Sequence, residues 1–137
     1  MKLSERLAAM DGASIAIGIA GPHPSGLPAA ELAKIQIMGR RDGSIPARDF
    51  WTPATAEADP VMRDGLRKGL ALAVEGRDPR PPIARAAEQA HDILLAAIED
   101  FTDPPNAAST IRRKGRNDPL VDEGDLRDAT FGEYKVG

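Results

Sequence analysis

From Ile83 to Phe101, apolar residues fall at positions 83, 87, 90, 94, 97 and 101, in alternating steps of four and three. That is the period of one helical face, and Glu88, Asp92 and Glu99 lie off it, so the stretch predicts the longest helix of the chain, with one buried side. Alanines at 86, 87, 90, 96 and 97 keep this helix thin and permit a sheet or a second helix to approach closely.

The rest of the chain supplies shorter pieces. Leu3, Leu7 and Met10 predict a short amphipathic helix before the Asp11-Gly12 turn, and its single apolar stripe must pack on something. In Ser14 to Ala20, isoleucines 15, 17 and 19 alternate with small residues, the pattern of a half-buried strand. Its other face, with Ala16, Gly18 and Ala20, is low enough for another element to come close. Gly21 to Pro28 is a proline-rich loop. A helix is predicted from Pro28 to about Met38, with Leu32, Ile35 and Met38 on one side and Gly39 as its stop. Arg40 to Ser44 reads as a charged loop and Ile45 to Trp51 as an extended or turn-rich piece that anchors its aromatics to the core. A further helix is expected from Ala58 to about Val74, with Asp59 as N-cap, Pro60 at its first position, and Met62, Leu66, Leu70 and Ala73 on its apolar face. Three prolines break the chain between Gly76 and Pro82. After Thr102 to Asn106 comes a polar, turn-rich stretch, then one helical turn at Asp125 to Asp128 and a final strand from Thr130 to Val136. The predicted fold class is α+β, a small antiparallel sheet packed against one long and several shorter helices.

A chain of 137 residues fits one domain, residues 1–137. With three Phe, one Trp and one Tyr its core is thin, and 12 Pro with 13 Gly suggest a chain that leans on neighbouring subunits to bury what it cannot bury alone. The net charge of −3 lacks the basic excess of a dedicated nucleic-acid binder. Without cysteine there is no disulfide framework and no thiolate nucleophile, and the usual structural zinc sites are ruled out. No signal-like or membrane-length apolar run occurs, which predicts a soluble chain made in the cytoplasm.

Catalytic chemistry finds no anchor. His23, in Pro22-His23-Pro24, reads as a surface loop residue, and His91 as a boundary residue of the long helix. The neighbouring carboxylates Glu99 and Asp100, and Asp122 and Glu123, diverge rather than share a proton. Serine-nucleophile, phosphate-loop and dinucleotide motifs are absent, so no enzyme, cofactor or metal is expected. The densest charge feature is Arg112, Arg113, Lys114 and Arg116, followed by Asp118, Asp122, Glu123 and Asp125. A basic loop of this kind can clamp phosphates or mate with an acidic protein neighbour. The adjoining acidic run favours the protein interface. The alternative is a nucleic-acid-binding module using residues 112–116.

Two ordered segments bear on function. The first is Ala30-Glu31-Leu32-Ala33-Lys34-Ile35, followed through Gly39 by Ile45-Pro46-Ala47-Arg48-Asp49-Phe50-Trp51-Thr52-Pro53. The second is Thr110-Ile111-Arg112-Arg113-Lys114-Gly115, then Pro119-Leu120-Val121-Asp122-Glu123-Gly124-Asp125-Leu126. Together they resemble a family of tailed-bacteriophage neck or tail-completion proteins, also called virion morphogenesis or minor tail proteins. In that family a helix ending in glutamate-phenylalanine-glycine precedes an isoleucine-proline-alanine-arginine-proline-phenylalanine motif. Here Ile37 and Met38 replace the first two residues of the triplet and Asp49 the second proline, while Glu123 stands where threonine is usual. The resemblance spans nearly the whole chain. It implies a structural, non-enzymatic virion protein, assembled in the host bacterial cytoplasm as a homo-oligomeric, hexameric ring. The ring would join the head-side connector to the tail tube or its terminator, with phage genomic DNA passing through the channel. The expected subunit or ring contacts are Arg48, Phe50, Trp51, Arg112, Arg113, Lys114, Arg116, Asp122 and Asp125, with Arg40 and Arg41 facing the DNA channel.

Overall fold

The computed structural model describes residues 1–22, 26–39, 47, 49–100 and 127–137. Its elements are α1 (Leu3–Ala8), β1 (Ser14–Ile19), α2 (Ala29–Met38), α3 (Trp51–Val74), α4 (Arg80–Asp100) and β2 (Thr130–Lys135). The strands pair as a two-stranded antiparallel sheet, and the fold class is α+β as expected. The chain divides into two compact units, one of Met1–Gly18, Ala56–Ile93 and Phe131–Gly137, the other of Ile19–Thr55 and Leu94–Thr130. Among the described residues no helix is long and apolar enough to cross a membrane.

Both long helices begin earlier than the apolar periodicity indicates, and the cause is side-chain capping. Asp49 Oδ1 accepts the Thr52 backbone N–H at 2.9 Å, and the Phe50 carbonyl accepts Ala54 N–H at 3.3 Å. These contacts start α3 at Trp51, so Trp51 is helical rather than extended. Pro53 falls in the first turn, where a missing N–H costs little. Pro60 lies inside the helix instead of opening it, and Asp59 is no cap but pairs with Arg63 at 2.7 Å along the exposed face. Likewise Asp78 Oδ1 accepts Arg80 N–H at 3.0 Å, and α4 starts at Arg80 with Pro81 and Pro82 in its first turn.

In the first unit α3 meets α4 through small residues. The buried positions of α3 in this unit include Ala58, Gly65, Gly69 and Ala73, whereas Leu70 of the predicted face is exposed. A methyl on Gly65 would overlap Ala86 Cβ and lie 3.2 Å from the Pro82 carbonyl; one on Gly69 would lie 2.6 Å from Ile83 Cδ1. Close approach selects the lowest face, and the leucines are left beside it. The sheet closes on these helices: Gly132 leaves no room for a side chain against His91 Cβ and the Ala87 carbonyl, and Gly18 lies under the Phe131 ring. Gly18 on β1 thus receives a neighbour, while Ala16 and Ala20 of the same face stay exposed. α1 buries no residue; Arg6 ties it down by donating from Nη1 to the Val74 carbonyl at 3.0 Å, a cation at the end of α3.

The second unit has its own core of Ala29, Ala33, Phe50, Ala54, Leu94 and Ile98. Here α2 is rotated from the expected face: Ala29, Ala33 and Gln36 are buried, Leu32 and Ile35 are half-buried, and Met38 is 67% exposed. Two alanines and a glutamine go inward in place of the larger aliphatic side chains. An isolated bridge between Pro22 and Pro28 pinches the proline loop, and Ala29 N–H donates to the Gly21 carbonyl at 2.8 Å. Arg127 Nη1 bonds Glu99 Oε1 at 3.0 Å, Thr130 Oγ1 donates to the Arg127 carbonyl at 2.7 Å, and Ala20 N–H donates to the Ala129 carbonyl at 3.0 Å.

Candidate assembly surface

Phe50 and Trp51 are neighbours in sequence with opposite fates. Phe50 is fully buried, so it anchors the start of α3 and offers no surface. Trp51 follows as the first helical residue and stays half-exposed. Its indole helps line an open groove of about 330 Å³ with Ile19, Ala30, Lys34, Ile37 and Met38. That volume is at the small end of ligand pockets, about 300–1,000 Å³. Ile19 comes from the end of β1; Ala30, Lys34, Ile37 and Met38 come from one side of α2. The walls are aliphatic and aromatic, and Lys34 supplies one charge, with no ion pair among the described residues. Such a surface can take apolar side chains that carry acidic neighbours.

The capping carboxylates are ionised anchors. The Asp49 carboxyl is held below its ordinary value by the Thr52 side-chain hydrogen bond and then by the Thr52 backbone N–H. Asp78 is lowered first by the Arg80 side chain, whose Nε and Nη2 meet its two oxygens at 3.0 and 3.1 Å.

A second cleft, of about 300 Å³, lies between α3 and α4 in the first unit, with Asp64, Lys68, Arg85 and Gln89 among its walls. Asp64 and Lys68 pair at 2.9 Å, i to i+4 on one helix. His91 is half-buried where β2 crosses α4. Glu99 is engaged with Arg127. Among the described residues no three His, Cys, Asp or Glu side chains gather as a metal site.

Of the other residues singled out from the sequence, His23, Arg40, Arg41, Arg48, Arg112, Arg113, Lys114, Arg116, Asp122, Glu123 and Asp125 lie outside the described residues. The sequence reading missed the α2 side of the groove. A signal is present in Ile37 and Met38, two large apolar residues just before Gly39, but Met38 reads as part of the Leu32 and Ile35 face and Ile37 only as a replacement within the triplet. No protein family, curated protein or solved structure matches this chain.

Proposed function

We propose that this chain is a structural virion protein of a tailed phage, a subunit of a homo-oligomeric, hexameric ring in the neck that joins the head-side connector to the tail around the DNA channel. The ordered pair of sequence motifs supports the reading, and the observation that carries it is the open apolar groove at Trp51. The first motif ends on that groove, and an apolar surface left open among the described residues, in a chain with a thin core, calls for a protein neighbour. Residues Arg48, Arg112, Arg113, Lys114, Arg116, Asp122 and Asp125 are proposed to complete the contact, and Arg40 and Arg41 to face the channel.

Electron microscopy of virions carrying a labelled copy of this chain tests the assignment, with density in the neck as the expected result and label absent from the particle as the refutation. Reversing the charges at Arg112, Arg113 and Lys114 together should abolish ring assembly and particle completion. A nucleic-acid role for the same cluster predicts instead a steep salt dependence of DNA affinity, with a slope reduced by those substitutions.

A further inference from the structure

We propose that the cleft between α3 and α4 binds a small organic carboxylate, with the Arg85 guanidinium and the Gln89 amide as its polar contacts. The site is separate from the Trp51 groove and stands whether or not the chain builds a ring.

The close approach of the two helices shapes the cleft. Gly65 and Ala86 are buried where the helices meet, longer side chains stand to either side, and about 300 Å³ is left open between them. The charges across that space do not cancel. From α3 come Asp64 and Lys68, which pair with each other at 2.9 Å one helical turn apart, so this wall is neutral. From α4 come Arg85 and Gln89, also one turn apart, and neither has a hydrogen bond or ion pair among the described residues. Asp64 and Arg85 carry opposite signs on the two walls, yet Lys68 is the residue that takes the carboxylate. One positive charge is therefore left unmatched in the cleft, and one anion neutralises it.

The shape of the donors selects the anion. A guanidinium presents a planar fork that fits the two oxygens of a carboxylate, and the Gln89 amide adds a donor one turn along. Pro60, Val61, Pro82 and Ala86 give the cleft its apolar wall, against which the body of the ligand is covered from water. The open volume is at the small end of ligand pockets, so that body is a single ring or a short aliphatic chain. Because Arg85 is exposed, the affinity expected is millimolar.

The test titrates isotope-labelled full-length chain with sodium benzoate at constant ionic strength and follows the backbone amides by NMR. The Gly65, Lys68, Ala86 and Gln89 amides should shift together and saturate, and benzamide, of the same shape without the charge, should leave them in place. Arg85→Gln should weaken benzoate binding about 10-fold, the scale of hydrogen bonds to a charged group. Arg67→Gln removes the same charge from α3 outside the cleft and should change the affinity by less than about twofold, since exposed charges at a distance are screened. Asp64→Asn removes the competing carboxylate and should tighten binding about 2–5-fold, an effect of opposite sign that loss of folding does not mimic. The dispersion of the amide resonances shows that each variant keeps the fold. Absence of a saturable shift overturns the proposal, as does benzamide binding as well as benzoate. Arg85→Gln titrating like the parent, or Arg67→Gln losing as much as Arg85→Gln, overturns it too. Cleft amides that already move with protein concentration before benzoate is added would place an acidic side chain of another copy there and refute the small-ligand assignment.

Discussion

Asp49 and Asp78 hold the starts of the two long helices, and each does so as an anion. Both carboxyls are lowered in the folded chain by hydrogen bonds that the unfolded chain lacks, from Thr52 and from Arg80. A depressed folded value contributes stability above the unfolded value of about 3.8–3.9 and loses it as pH falls through the folded one. Replacing Asp49 with Ala should cost about 1 kcal/mol at neutral pH, as lost N-caps do. In urea titrations the gap between parent and variant should narrow as pH drops below about 4, and a constant gap would show that ionisation plays no part. Arg6 is the corresponding device at the far end of α3. Arg6→Ala should raise amide hydrogen exchange across residues 3–8, because α1 has no buried side chain to hold it otherwise.

Among the elements, α3 and α4 approach closely through Gly65 and Gly69. Gly65→Ala would gain up to about 1 kcal/mol of helix propensity, but the methyl meets Ala86 Cβ and the Pro82 carbonyl, neither of which is the free end of a flexible chain. Overpacking wins, and a net loss of about 1–3 kcal/mol is expected in chemical denaturation. The pair Glu99 and Arg127 is half-exposed, so a double-mutant cycle should give under about 1 kcal/mol, falling further in high salt. Element identity was legible because alternation in Ile15 to Ile19 and the four-three steps after Ile83 are large signals in apolar residues. The inward faces of α2 and α3 were not legible. Ala33, Gly65 and Gly69 carry little hydrophobicity, yet they decide the approach, while Met38 and Leu70 mark the side left outside. Early helix starts were missed for a related reason: a proline at 60 suggests a beginning, but the cap that fixes the beginning is an aspartate eleven residues earlier.

At the scale of the whole molecule, the sheet is assembled from the two ends of the described chain. Two strands alone are marginal, and this sheet survives through Phe131 over Gly18 and Gly132 against α4. Deleting residues 130–137 should therefore strip β1 of its partner, lower the unfolding midpoint and promote aggregation through the bared strand, visible as light scattering. A truncated chain that unfolds like the parent would show the sheet to be dispensable. The pairing also imposes a schedule during synthesis. β2 leaves the ribosome roughly 110 residues after β1, about 6–20 s at ordinary elongation rates. Until then β1 lacks its partner β2, and Ile19, one wall of the Trp51 groove, lacks the neighbouring hydrogen bond from Ala20 to Ala129. On a nascent chain the groove wall at Ile19 therefore lacks that neighbouring bond until residue 129 has emerged.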